Sequence, residues 1–259
     1  MNGQHPSSKG YAGRELLHRV KSSFRMLDIR AVRVREGRCP LCGPTVIVKL
    51  ADSDISVRCV RCGASAITMS LARLITSEVP DLKSKTVYEL SARGPLFEFL
   101  REHAGTLTYS EYIDDVRPGE YVAGVQCQDV QQLTYADASF DVCTSTEVFE
   151  HVPDDRLGFR EVRRVLKRGG LFAFTVPLAE SGPTVERARL VQGEVEHLLP
   201  PQYHSDRIRG HSRVLVFRDY GRDISDRLSD AGFSQVTIDE SARRDFWGFG
   251  RSVVLARTE

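Results

Sequence analysis

The chain has 259 residues, 41% hydrophobic and 27% charged, with 36 Lys and Arg against 35 Asp and Glu for a net charge of +1. That balance argues against a protein whose main partner is nucleic acid, because such domains are strongly basic, and no apolar run approaches the roughly 20 residues that cross a bilayer. The polar stretch from Met1 to Gly13 lacks the apolar core of an export signal, which predicts a cytoplasmic location.

The length suits one sizeable core with a small accessory module, and the division expected is 1–80 and 81–259. Residues 1 to 38 hold nine Lys or Arg against three acids, a solvated helix face or a contact for phosphate-bearing partners. From Gly13 to Leu27, Leu16, Leu17, Val20, Phe24 and Leu27 recur at helical spacing. Cys39-Pro-Leu-Cys42 and Cys59-Val-Arg-Cys62 then form two CxxC knuckles. Each tight turn aims two thiolates at one point, so the pair predicts a closed, structural Zn²⁺ shell. Thr45–Leu50 and Ile55–Arg58, parted by the turn-like Asp52-Ser-Asp54, are the strands of the expected zinc ribbon. Cys127 and Cys143 stand in apolar strand-like runs as small core residues.

A helix over Ala64–Thr76 leads through Pro80 to a polar linker at Asp81–Lys85. Strands and helices then alternate: Thr86–Leu90, helix Pro95–His103, Leu107–Glu111, a loop over Tyr121–Gln128 into a third strand, Phe140–Thr146, helix Asp154–Lys167 with Leu157, Val162, Val165 and Leu166 buried, and Leu171–Val176. An insertion at about 178–214 precedes a helix over Tyr220–Ala231 and a closing antiparallel pair, Gln235–Asp239 and Ser252–Ala256. This order predicts an α/β fold, a Rossmann-like, seven-stranded, mostly parallel sheet with helices on both faces. Ligands of such sheets sit at the carboxyl ends of the strands. There stand Glu89, Glu111 and Asp129; an acid about 20 residues beyond the first turn commonly accepts from ribose hydroxyls.

The runs Asp129–Asp141, Ser145–Pro153 and Glu161–Leu171 resemble the class I S-adenosylmethionine-dependent methyltransferase superfamily that includes the ubiquinone-pathway O-methyltransferases. The resemblance implies S-adenosyl-L-methionine as cofactor, with Glu111 on the ribose, Asp129 and the adjoining Val130 at the adenine, Thr146 beside the cofactor, and the turn after Glu89 on its methionine part. That turn departs from the family's glycine-rich form: Glu89-Leu-Ser-Ala-Arg-Gly94 keeps only Gly94, with small Ser91 and Ala92, and Arg93 reaching the cofactor carboxylate or solvent.

Glu147-Val-Phe-Glu150-His151 resembles the Glu-x-x-Glu-His motif with which small-RNA 3′-end 2′-O-methyltransferases hold a divalent ion. The resemblance implies a second metal, Mg²⁺, Mn²⁺ or Zn²⁺, on Glu147, Glu150, His151 and a downstream histidine, His204, with His197 and His211 behind it. Without metal, Glu147 lines the pocket and His151 is the general base. The function expected is O-methylation of a small or glycan-like hydroxylated acceptor under a lid made by the insertion. Two alternatives stand beside it: an RNA methyltransferase using the basic amino-terminal region, and a binding scaffold that kept the fold without catalysis.

Overall fold

The structure, a computed structural model, describes residues 28–205 and 213–259. The helix expected over 13–27 and the candidate His211 lie outside the described residues. Strands β1 (Arg33–Cys39), β2 (Gly43–Lys49) and β3 (Val57–Cys59) form an antiparallel sheet in that order. β2 and β3 match the expected pair. β1 is additional: six of its seven residues are exposed, so it carries no apolar alternation to mark it. Gly43 turns the first knuckle at φ 83°, a backbone region open to glycine at no steric cost.

The main sheet contains β4 (Thr86–Glu89), β5 (Thr106–Glu111), β6 (Tyr121–Val122), β7 (Val125–Cys127), β8 (Phe140–Thr146), β9 (Leu166–Thr175), β16 (Gln235–Asp239) and β17 (Val253–Arg257). Their order is β16-β17-β9-β8-β4-β5-β7-β6. β7, β5, β4, β8 and β9 run parallel, while β17 is antiparallel to both β9 and β16. These are the seven strands expected, extended by the two-residue edge β6, which folds back on β7 where a loop was expected. Chain order reverses between β4 and β8, the position at which open sheets of this kind form their ligand crevice.

Alternation along the strands feeds two apolar layers. Tyr88, Phe172 and Phe174 point to the layer that receives helices α3 (Asp155–Val165) and α4 (Ile224–Asp230) through Phe159, Val162 and Leu228. Val87, Leu171 and Ala173 point to the other, where α1 (Ala66–Glu78) brings Leu71, Leu74 and Ile75, and α2 (Pro95–His103) brings Leu96 and Leu100. α1 thus shares a core with the sheet, although the division expected at 80/81 falls after it. Ser65 caps α1 by accepting from Thr68 N at 3.2 Å. On α3, Phe159 rather than Leu157 is buried; Leu157 is 40% exposed. The helix ends at Val165 and β9 begins at once, two residues earlier than the expected helix end and five before the expected strand start, with Gly169 at φ 73° inside the strand.

The insertion folds as three small antiparallel pairs: β10 (Val185–Glu186) with β15 (Arg218–Asp219), β11 (Ala188–Val191) with β12 (Glu194–His197), and β13 (Tyr203–Ser205) with β14 (Arg213–Leu215). The helix expected over Tyr220–Ala231 is shorter, because Tyr220 is held in a β-bridge with Leu178, its hydroxyl donating to Asp155 Oδ2 at 2.9 Å. Among the described residues no helix is long and apolar enough to cross a membrane.

Candidate active site

The four knuckle thiols converge. Sγ of Cys39 lies 3.7 Å from that of Cys62, and Sγ of Cys42 lies 3.5 Å from that of Cys59. A tetrahedral sulfur shell with Zn–S bonds of about 2.3 Å places its sulfurs roughly 3.8 Å apart, so the donor set fits Zn²⁺. Sulfur hydrogen bonding with Cys62 pulls the Cys39 thiol down to about 5, whereas burial and Cys59 push Cys42 up to about 12. Thiols this close cannot all ionise without a cation to share.

Glu89 closes β4 and is buried, and its carboxyl is pushed up to about 8, by burial first and by the Glu111 charge as well, although the Thr144 hydroxyl donates to it. Glu111 closes β5 and holds the loop that follows β4. Its Oε1 accepts from Ala92 N at 3.0 Å, Arg93 Nε at 3.2 Å and Ser91 Oγ at 3.3 Å. Arg93 thus pairs with Glu111 through its Nε, with its side chain 39% exposed. Gly94 takes φ 95°, and a Cβ there would meet nothing within 4 Å. Asp129 follows β7, accepting from Gln131 N at 2.9 Å, with Val130 buried beside it. Three acids thus stand at the ends of three neighbouring parallel strands, the arrangement that suits ribose and adenine amino groups. Thr146 ends β8, its Oγ1 buried with no partner among the described residues.

The run after β8 is held from several sides. Glu147 adopts φ 53°, a strained value for a residue with a side chain and a common mark of functional turns. Phe149 is fully buried and stacks on Phe159 at 4.6 Å, so Glu150 and His151 flank a fixed ring. The segment 215–220 staples this turn: Phe217 N donates to Glu150 O at 2.8 Å, and buried Arg218 donates to Phe149 O at 3.1 Å and Pro153 O at 2.7 Å. His151 Nδ1 lies 2.8 Å from Leu215 O, which makes it the protonated nitrogen and leaves the ring lone pair on Nε2.

Glu150 Oε1 lies 3.7 Å from His151 Nε2 and 3.8 Å from His204 Nδ1, and the two imidazoles meet edge to face at 4.9 Å. Both Glu150 oxygens are buried without a hydrogen-bond partner among the described residues. Burial, with the neighbouring Glu147 charge, raises the Glu150 carboxyl well above its usual range. Such oxygens call for a cation or a donor. Glu147, expected as a fourth ligand, stands apart from this trio; its Oε2 accepts from Arg251 Nη2 at 2.8 Å. In the insertion expected to form the lid, His197 is exposed on β12, Arg189 pairs with Glu196 at 2.8 Å and Arg187 pairs with Asp219 at 2.6 Å.

Arg218 and Arg251 were not legible beforehand, since neither falls in a motif. Three basic residues near the cysteines are engaged within the chain: Arg33 donates to Arg30 O and Val32 O, Arg61 donates to Cys42 O, and the Arg35 guanidinium lies 4.8 Å from the Trp247 ring centroid.

Residues 60–174 match the family model described as a methyltransferase domain. The ubiquinone biosynthesis O-methyltransferase of Coxiella burnetii is 32% identical over 103 residues, 36% of this chain and 44% of that protein. The sarcosine/dimethylglycine N-methyltransferase of Halorhodospira halochloris is 30% identical over 122 residues, 47% of this chain and 37% of that one. The 27-O-demethylrifamycin SV methyltransferase of Amycolatopsis mediterranei is 33% identical over 95 residues, 36% and 33%. The chain spans less than half the length of each of these relatives. Residues 60–174 are thus similar to a methyltransferase domain, and they lie on a sheet whose chain order reverses between β4 and β8.

Proposed function

We propose that this chain is an S-adenosylmethionine-dependent methyltransferase that acts on a hydroxyl of a small or glycan-like acceptor, with a structural Zn²⁺ on Cys39, Cys42, Cys59 and Cys62. The observation that carries the reading is the convergence of Glu150, His151 and His204 at the end of β8, beside the crevice where chain order reverses. Two of the three relatives above are named for transfer to oxygen, which supports the choice of acceptor atom.

S-adenosylmethionine supplies a methyl group already activated on a sulfonium sulfur. Glu111 would hold the ribose, Asp129 and Val130 the adenine, and the Ser91–Gly94 turn the methionine end. The protein's remaining work is to orient the acceptor oxygen and take its proton. Glu150, His151 and His204 would hold a divalent ion, a group whose chemistry is to lower the pKa of an oxygen bound to it.

A second reading rests on the Nδ1 contact with Leu215 alone. His151 then accepts the hydroxyl proton at Nε2 as a general base, with no metal. Chelation mild enough to leave the cysteine zinc in place separates the two. Loss of methyl transfer on chelation, restored by Mn²⁺ and mimicked by His204→Ala, is expected of the metal reading. Activity lost in His151→Ala yet indifferent to chelation and to His204→Ala selects the base.

A further inference from the structure

Arg251 stands where three parts of the chain meet. Its Nη2 lies 2.8 Å from Glu147 Oε2 beyond β8 and 2.9 Å from Asp54 Oδ2 in the cysteine module, while its backbone nitrogen donates to Ser70 Oγ of α1 at 3.0 Å. Beside it opens a cavity of about 340 Å³, bounded by Ser53 and Asp54, by Leu178 at the base of the insertion, and by Phe249 and Ser252 ahead of β17. Its size sits at the low end of small-molecule sites, roughly 300–1,000 Å³, but its walls are not the mostly apolar ones usual there.

Arg251, which lines this cavity, has its Nε buried with no partner among the described residues, and Asp54 lines the same cavity as an acceptor. A guest that meets both must accept and donate hydrogen bonds, as a hydroxyl does. Asp54 accepts from Ile55 N at Oδ1 and pairs with Arg251 at Oδ2, yet each oxygen keeps a further lone pair for a hydroxyl, and Phe249 and Leu178 offer apolar surface to ring carbons. We infer that this cavity is the acceptor subsite, that it takes a saccharide-like polyol, and that Asp54 of the cysteine module sets its specificity. The inference rests on the methyltransferase reading and narrows its acceptor. The module becomes one wall of the reaction chamber, joined to Glu147 through Arg251.

Saturation-transfer NMR on the full, zinc-replete chain would use a mixture of glucose, galactose, N-acetylglucosamine and glucuronate, with and without S-adenosylhomocysteine. At least one sugar is expected to bind, and Asp54→Ala to weaken it tenfold or more while zinc content stays unchanged. No sugar signal in the native chain, or an equal signal in Asp54→Ala, overturns the subsite. Calorimetry with S-adenosylhomocysteine on the same samples keeps the two readings apart: its binding without sugar binding defeats the subsite alone, and its absence defeats the methyltransferase reading.

Discussion

His151 reaches across sixty-four residues to the carbonyl of Leu215, which fixes its tautomer at 2.8 Å. The insertion's return strand thereby aims Nε2 toward Glu150, whether that nitrogen holds a metal or a proton. His151→Ala is expected to lower kcat by roughly 10²–10⁴-fold, the usual worth of a positioned acid or base. Steady-state kinetics with labelled cofactor would check this, and a loss under tenfold would remove His151 from the chemistry.

Two divalent ions per chain are expected, one on the four cysteines and one on Glu150, His151 and His204. His204→Ala should reduce the count to one. Glu147→Gln should leave it at two, because Glu147 is bonded to Arg251 and stands outside the trio. Elemental analysis of protein purified without chelator reads all three values, and a single ion in the native chain would contradict the second site.

Glu111→Ala should weaken S-adenosylhomocysteine binding by roughly 1.5–3 kcal/mol, the range for hydrogen bonds to a charged group. The same change releases Ala92 N, Ser91 and Arg93 from their common acceptor, so the turn after β4 should loosen as well. Asp129→Ala should cost less, its partner being a neutral amino group. Isothermal titration ranks the two, and the reverse order would mean that the adenosine lies elsewhere.

The ends of three parallel strands, β4, β5 and β7, were legible because an acid stands at or just beyond each: Glu89, Glu111 and Asp129. Glu150, His151 and His204 were legible through their resemblance to a known ligand run. β1 was not, since Arg33 to Arg38 face solvent and leave no apolar period. Arg218 and Arg251 escaped for another reason. Their partners lie 66 residues away at Val152 and 104 away at Glu147, and no local pattern encodes a contact of that span. The docking of Phe246 against Cys39, Ile47 and Met69 was hidden likewise, because it depends on the turn between β16 and β17 folding back over the cysteine module.

Glu89 should make stability depend on pH in an unusual direction. Its folded carboxyl titrates at about 8, above the ordinary value of 4.5, so between these values the folded chain holds more protons than the unfolded one. Unfolding free energy should therefore fall as pH rises through this window, by about 5 kcal/mol at most, at about 1.4 kcal/mol per unit. Glu89→Gln should flatten that slope. Urea denaturation at a series of pH values reads both profiles, and parallel curves would show that Glu89 is already ionised in the fold.

S-adenosylmethionine is proposed to bind at the strand ends that carry Glu89, Glu111 and Asp129. Calorimetric titration of the native chain with S-adenosylhomocysteine tests it most directly. One site per chain is expected, with a raised thermal midpoint and a clear loss of affinity in Glu111→Ala. No heat and no thermal shift in the native chain would contradict the account and leave the fold as a scaffold without its cofactor.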